Sequence, residues 1–157
     1  MEKNKIIILK NGIDVFGNKI EILVNGEIIE KVSENIDESK FENNENMRII
    51  DVEGKLVMPG VIDVHTHMRE PGVTYKEDFA TGSRACVKAG ITTFYDMPNT
   101  VPTTTTEENL LEKKKLASKK SIVNFGIHFG GSKNDNVEEI KKVLKNEEVN
   151  TVKIFIK

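Results

Sequence analysis

Two of the three histidines in this chain, His65 and His67, are separated by a single residue within the segment VIDVHTHMREPG, residues 61–72. The apolar residues before them predict a β-strand, and Pro71-Gly72 predicts its exit into a loop. Because side chains alternate along a strand, Asp63 is expected on the same face as both histidines. Two imidazoles spaced about 7 Å apart can converge on one metal ion, and Asp63 can orient a ring nitrogen. The pattern predicts a metal site; the alternative is two histidines that only end a strand.

Length and composition describe an ordinary soluble protein. The 157 residues are 38% hydrophobic and 31% charged, with a formal net charge of −2. This balance gives no electrostatic reason to expect nucleic acid or a membrane surface as a partner. A single cysteine, Cys86, excludes an internal disulfide framework and suits a reducing compartment. The opening MEKNKIIILKNG has an apolar run too short for a signal peptide or a membrane span, so we expect a cytoplasmic location.

The chain has two parts of different texture. Residues 1–58 are predicted to form short strands and turns, with a hairpin at Asn25-Gly26. From Val61 onward strands and helices alternate. The predicted strands are VIDVHTH (61–67), ITTFYDM (91–97), SIVNFGIHF (121–129) and TVKIFIK (151–157). The predicted helices are KEDFATGSRACVKAG (76–90), TTEENLLEKKKLASKK (105–120, with Thr105 and Glu108 at capping-box spacing) and NVEEIKKVLKN (136–146).

This alternation predicts an α/β fold with right-handed βαβ units and a parallel sheet. Four strands and three helices amount to about half of a (β/α)₈ barrel, which typically needs ~250 residues. The chain therefore looks like the N-terminal half of such a barrel, preceded by a β-rich segment.

The segment VMPGVIDVHTHMREPG (57–72) resembles the first-strand signature of the amidohydrolase superfamily, metal-dependent hydrolases built on a (β/α)₈ barrel. Residues 1–58 resemble the N-terminal part of the accessory β-sandwich of these enzymes, and residues 59–157 their first four barrel strands and three helices. Within the superfamily, residues 65–105 resemble dihydroorotase, which interconverts N-carbamoyl-L-aspartate and dihydroorotate in pyrimidine biosynthesis. The resemblance covers about the first two-fifths of a family member.

The resemblance implies a small-molecule substrate and a zinc site, with two ions in the complete enzyme. His65 and His67 are the implied metal ligands, and Arg69 and Asn99 are the implied contacts of the substrate carboxylate. A guanidinium fork and an amide donor both suit a carboxylate. Two further histidine ligands and the acid/base aspartate are expected beyond Lys157, so no catalytic acid or base is expected within this chain.

Lys153 is the third candidate metal ligand. Alternation in TVKIFIK points Thr151, Lys153 and Phe155 to the inside of the predicted barrel. Burial lowers the pKa of a lysine, and its neutral amine can react with carbon dioxide to give a carbamate that bridges metal ions. The family resemblance places a carboxylated lysine here, although some bacterial dihydroorotases use an aspartate elsewhere. The alternative is a solvated lysine on an edge strand.

Three readings of function stay open from the sequence. The first is a dihydroorotase-like zinc enzyme, which could assemble as a homo-oligomer. The second is an inactive fragment, or half of a split protein that needs a complementing C-terminal half, and residues 1–157 alone are expected to show no turnover. The third is a related cyclic amidase such as dihydropyrimidinase or allantoinase. The resemblance favours this third reading less, because those enzymes lack the combination of arginine and asparagine that this chain has at Arg69 and Asn99.

Other polar features have simpler interpretations. We interpret His128 as a residue of the third strand without a ligand role, and Cys86 as a small packing residue. The lysine-rich run EKKKLASKK (112–120) is predicted to be the solvated side of its helix.

Overall fold

The structure of the protein is a computed structural model that describes residues 5–41, 44–132, 135–149 and 151–155. The chain divides into two units, Met1–Pro59 and Gly60–Lys157. None of the helices in these described ranges is long and apolar enough to cross a membrane.

The first unit is a four-stranded sheet with the strand order β3-β2-β1-β4. Strands β1 and β2, and β2 and β3, pair in antiparallel fashion, whereas β4 runs parallel to β1. The elements are β1 (Ile6–Ile13), β2 (Lys19–Asn25), β3 (Ile28–Ser33), a 3₁₀ helix (Glu38–Phe41) and β4 (Met47–Asp51). The predicted hairpin is present, but Asn25 pairs with Ile28, so its turn is centred on Gly26 and Glu27.

The two faces of this sheet differ in burial. One face packs into a core that consists of Ile6, Ile8, Leu23 and Ile36. Glu21, only 2% exposed, lies on the same face and accepts the backbone N–H of Ile36 at 2.8 Å. The opposite face is apolar and open. Its residues Ile29 and Val32 are 63% and 55% exposed and border a cavity of about 310 Å³.

The second unit is built from parallel strands and three helices. Strands β5, β6 and β7 form one parallel sheet in that order, and β8 pairs in parallel with β9. The elements are β5 (Val61–Thr66), α1 (Phe79–Lys88), β6 (Ile91–Asp96), α2 (Glu107–Lys120), β7 (Asn124–Ile127), β8 (Phe129–Gly130), α3 (Val137–Lys145) and β9 (Val152–Lys153). This arrangement confirms the predicted α/β class with parallel strands.

Three predicted details of the second unit are wrong. The third strand is divided into β7 and β8, with His128 between them. Helix α2 begins after Thr106, whose side chain accepts the backbone N–H of Asn109, and not at a capping box of Thr105 and Glu108. The fourth strand comprises only two residues of the predicted seven; residues 156 and 157 of that prediction lie outside the described residues.

The core of the second unit fixes the segment that follows β5. Phe94 of β6 stacks between Phe79 and Phe125, with ring centroids 6.2 and 6.3 Å apart. Met68 packs on α1 at Gly82, where an added Cβ would lie 2.2 Å from the methionine sulfur. The helix can therefore approach the segment after β5 closely only because residue 82 has no side chain. Cys86 belongs to this core, as predicted, and burial raises the pKa of its thiol.

Candidate metal and substrate site

His65 and His67 lie next to each other at the carboxyl end of β5. His65 is the penultimate residue of the strand, and His67 follows its last residue. Their ring centroids are 5.4 Å apart, and the ring planes are inclined by 56°. His65 is exposed and His67 is half-buried. The structure thus brings the two predicted ligands together with their rings accessible.

Asn99, and not Asp63, is the hydrogen-bond partner of a histidine ring here. Asp63 Oδ1 accepts the backbone N–H of His65 at 2.9 Å, so the contact recorded for this carboxylate is with backbone and not with a ring nitrogen. The Nδ1 atom of His67 lies 2.9 Å from the side-chain Oδ1 of Asn99. The sequence had assigned Asn99 to the substrate alone, and its contact with a histidine 32 positions earlier was missed.

A buried ion pair lies beneath this contact. Asp96, the last residue of β6, and Lys113 of α2 both have fully buried side chains, with Nζ 2.7 Å from Oδ2. The other carboxylate oxygen of Asp96 accepts the backbone N–H of Met68 at 2.7 Å, and Lys113 donates to the carbonyl of Met97 at 2.7 Å. Burial lowers the pKa of Lys113, and the carboxylate of Asp96 opposes that shift.

The ion pair corrects one prediction and reveals an unpredicted residue. Lys113 belongs to the lysine-rich run that was predicted to be solvated, and it is fully buried. Asp96 is the single charged residue in the segment ITTFYDMP, and that isolation in an apolar strand was the signal that could have identified it. Together the two residues connect the backbone after His67 to the backbone before Asn99.

Arg69 begins the loop that leaves the site. Its φ of +60° places it in the left-handed region, a conformation that non-glycine residues seldom adopt. The next residue, Glu70, is 5% exposed and accepts the backbone N–H of Phe79 at 3.2 Å. Glu70 also forms an ion pair with Lys120, and this hydrogen bond raises the pKa of the lysine. A buried carboxylate therefore anchors the loop directly after Arg69.

The loops that follow β5 and β6 are in contact with each other. Pro71 accepts the backbone N–H of Val101 through its carbonyl at 3.2 Å. Gly72 has a φ of +87°, and a Cβ at this position would lie 2.1 Å from the carbonyl oxygen of Val101. Glycine is required there on both grounds. The contact ties the loop carrying Arg69 to the loop carrying Asn99.

The contacts recorded for Lys153 are with residues other than the histidine pair. It lies in the short strand β9, opposite Gly130 of β8, and its side chain is half-buried. Its ammonium lies 5.4 Å from the ring centroid of Phe155. Within the described residues, no contact between Lys153 and either His65 or His67 is recorded.

His128 uses both of its ring nitrogens within the protein. Nε2 lies 2.9 Å from the carbonyl oxygen of Val64, and Nδ1 lies 2.8 Å from the hydroxyl of Thr151. A carbonyl oxygen can only accept, so Nε2 carries the proton and Nδ1 accepts from Thr151. The third histidine therefore has no free nitrogen for a metal, in agreement with its predicted lack of a ligand role.

The donor set fits part of a zinc site. Imidazole nitrogens are common zinc ligands, but a zinc site typically has three or more protein ligands. The described part of the chain contains no group of three or more histidine, cysteine, aspartate or glutamate residues able to hold a metal ion. His65 and His67 would therefore supply two nitrogen ligands of a zinc site, and further ligands would have to come from elsewhere.

Comparisons with known proteins identify the same family that the histidine motif resembles. Residues 56–155 match the Amidohydrolase family. The chain is 37% identical over 134 residues to a dihydroorotase of Methanosphaera stadtmanae. The aligned region covers 85% of this chain and 30% of that protein. It is 45% identical over 105 residues to a dihydroorotase of Methanosarcina mazei. This aligned region covers 67% of this chain and 23% of that protein. The chain therefore spans less than a third of the length of these relatives.

Two solved structures with a similar fold are hydantoinases. The L-hydantoinase (dihydropyrimidinase) from Arthrobacter aurescens superposes with a TM-score of 0.77 at 33% identity, over 89% of this chain and 31% of that one. A D-hydantoinase superposes with a TM-score of 0.76 at 28% identity, over 95% and 32% of the two chains. These matches confirm the resemblance inferred from the histidine motif. Because the family match extends over most of its length, the chain belongs to the amidohydrolase family.

Proposed function

We propose that this chain is the N-terminal part of a dihydroorotase-like zinc enzyme that interconverts N-carbamoyl-L-aspartate and dihydroorotate. The observation that carries the proposal is the adjacency of the His65 and His67 rings, with Asn99 hydrogen-bonded to His67. Identity of 37% and 45% to two dihydroorotases supports the choice of substrate. Strands β5, β6, the divided strand β7–β8 and β9 are proposed to be the first four strands of a (β/α)₈ barrel, whose active sites lie at the carboxyl ends of the strands.

Each site residue has a proposed role. His65 and His67 would hold zinc through ring nitrogens, and Lys153 would join them as a carbamate. Bound zinc would supply Lewis-acid polarisation of the ring amide carbonyl. Hydrolysis breaks the ring carbon–nitrogen bond, with a hydroxyl added to the carbon and a proton to the nitrogen. Arg69 and Asn99 would bind the substrate carboxylate and thereby orient the ring.

A hydantoinase-like activity is the second candidate. The structural likeness to L-hydantoinase favours it, with a TM-score of 0.77. Hydantoin and dihydrouracil are cyclic amides that lack the carboxylate of dihydroorotate, so they give Arg69 no anionic partner. The two candidates therefore differ in whether Arg69 contributes to turnover.

The test is a chimera of this chain with the complementary C-terminal part of the Methanosarcina mazei dihydroorotase. We expect zinc-dependent turnover of dihydroorotate and much less of hydantoin. Arg69→Met should raise KM strongly, because truncating one partner of a buried charge pair costs on the order of 2–5 kcal/mol. Arg84→Met is the matched control, since Arg84 is exposed on α1.

Two outcomes would contradict the proposal. Faster turnover of hydantoin than of dihydroorotate, unaffected by Arg69→Met, would favour the second candidate. A folded, zinc-loaded chimera without activity on either substrate would favour the interpretation of this chain as an inactive fragment.

A further inference from the structure

We propose that Asn99 fixes the tautomer of His67 through its side-chain carbonyl. Asn99 is then a positioning residue for a histidine that is proposed to bind zinc. The assignment of the tautomer rests on a contact within this chain.

The tautomer follows from the atoms in contact. Asn99 Oδ1 lies 2.9 Å from Nδ1 of His67, and an amide oxygen can only accept a hydrogen bond. Nδ1 therefore carries the proton. A neutral imidazole has one ring proton, so the lone pair of His67 is on Nε2. This nitrogen remains available as a metal ligand, and the hydrogen bond made by the other nitrogen determines that availability.

The backbone on both sides of the contact is held in place. The carbonyl of Thr66 accepts the backbone N–H of Met97 at 2.9 Å, next to His67 in the chain. On the other side, the carbonyl of Pro98 accepts the N–H of Thr104 at 2.9 Å. The residues flanking Asn99, Pro98 and Thr100, are buried, whereas Asn99 itself is exposed. Its side chain therefore extends from a fixed backbone toward a fixed ring.

His128 provides an internal reference for this assignment. Its Nε2 faces the carbonyl oxygen of Val64, so it must be the protonated nitrogen. His67 and His128 are thus expected to show opposite tautomers within one molecule. Each tautomer is determined by an oxygen acceptor placed at a different ring nitrogen.

The first test is histidine-selective ¹⁵N labelling of the 157-residue chain, observed by NMR. Spectra are recorded about two pH units above the ordinary histidine pKa of ~6.5, where the rings are neutral. His65→Gln and His128→Gln assign the three ring signals. We expect His67 in the Nδ1–H form and His128 in the Nε2–H form.

Substitutions at residue 99 separate the roles of the oxygen and the nitrogen. Asn99→Leu should shift His67 toward the Nε2–H form, whereas Asn99→Asp should keep the Nδ1–H form. The matched control is Asn124→Leu, at an exposed asparagine that begins β7, and it should change neither ring. A wild-type His67 in the Nε2–H form would overturn the proposal, because the amide would then have the opposite orientation.

The second test measures binding of zinc ions alone by titration calorimetry. Asn99→Leu should lower zinc affinity about tenfold, the smaller of the effects usual for removing the hydrogen-bond partner of a metal-ligating histidine. Asn99→Asp should retain the wild-type affinity. Equal affinity of the wild-type and Asn99→Leu proteins would overturn the positioning role. Circular dichroism checks that each variant is folded.

Discussion

The histidine pair and Lys153 are predicted members of one metal site, yet the chain holds them in different ways. The backbone after His67 is bonded to Asp96, and Asp96 is paired with Lys113 in a fully buried contact. Lys153 lies in a strand of two residues and contacts the ring of Phe155. The segment after His67 is therefore preorganised by buried polar bonds. The position of Lys153 depends on a strand of two paired residues and on a half-buried side chain.

This difference has an energetic basis. A buried ion pair adds little net stability compared with apolar residues, but removal of one partner leaves a charge without compensation. The Asp96–Lys113 pair also orients the backbone on both sides of the site, so its loss affects geometry as well as stability. A cation near an aromatic ring at a partly exposed site contributes only about 0.5–1 kcal/mol. Substitutions in the two regions should therefore differ severalfold in effect.

The largest effect is expected from Lys113→Met. It leaves the carboxylate of Asp96 buried and unpaired, which should lower the free energy of unfolding by about 3–5 kcal/mol. Urea unfolding followed by tyrosine fluorescence measures it, since both tyrosines lie in the second unit. The control is Lys114→Met, whose pair with Glu148 is about one-third exposed on each side and should cost under about 1 kcal/mol. Equal losses in the two variants would contradict the comparison.

Zinc affinity should distinguish His67 from His128. We expect His67→Ala to lower it by about tenfold or more, because a two-imidazole site loses half of its ligands. His128→Gln should leave zinc affinity unchanged, since both ring nitrogens of His128 already have partners within the protein. Calorimetry with zinc ions measures both variants. A similar loss in His128→Gln would place the metal at a different histidine.

A smaller, pH-dependent effect is expected at Asp78, which caps α1 after the Arg69 loop. Its side chain accepts the backbone N–H of Thr81, and this bond lowers the pKa of Asp78 below its ordinary 3.8. The stability it provides is therefore present above pH 3.8 and is lost as the pH falls through the lower folded-state pKa. Asp78→Ala should cost about 1 kcal/mol at neutral pH.

Asp78→Asn separates the charge from the cap. Asparagine caps helices as well as aspartate does, so stability at neutral pH should be retained while the acid-dependent loss disappears. Urea unfolding at several pH values below 5 measures this change. Glu112→Gln, at an exposed position of α2, is the control and should retain the wild-type pH dependence. An unchanged pH dependence in Asp78→Asn would assign the acid-sensitive stability to another carboxylate.

The smallest effect is expected from Lys153→Met. Loss of its contact with Phe155 should reduce the free energy of unfolding by less than about 1 kcal/mol. Zinc affinity of the 157-residue chain should stay unchanged. A loss of zinc affinity as large as that of His67→Ala would show that Lys153 and the histidines already share a metal site in this chain.

The parts of the fold that local patterns determine were predictable. Alternation of side chains identified β5 and β6, and the two histidines were found because their spacing is a local property. The division of the third strand at His128 was not predictable, since it accompanies a side-chain bond to Val64, which is distant in sequence. The fourth strand was overestimated because apolar alternation continues beyond the two residues that pair with β8.

The supports of the site were the least predictable part. A lysine within a lysine-rich helix has the pattern of a solvated face, and only the position of Asp96 on the neighbouring strand explains why Lys113 is buried. The contact between Asn99 and His67 likewise joins two loops that are 32 residues apart. Such pairings arise from tertiary packing, which a local pattern does not contain.

The bond from Met68 to Asp96 also determines how the site exchanges hydrogen with solvent. The amide hydrogen of Met68 is bonded to one carboxylate oxygen of Asp96, and the other oxygen of that carboxylate is paired with Lys113 of α2. Exchange with deuterium at this amide requires the helix and strand to separate, and a backbone bond that opens only in this way exchanges at the slow rate of a cooperative unit. The residue next to a solvent-accessible histidine should therefore be among the last to acquire deuterium.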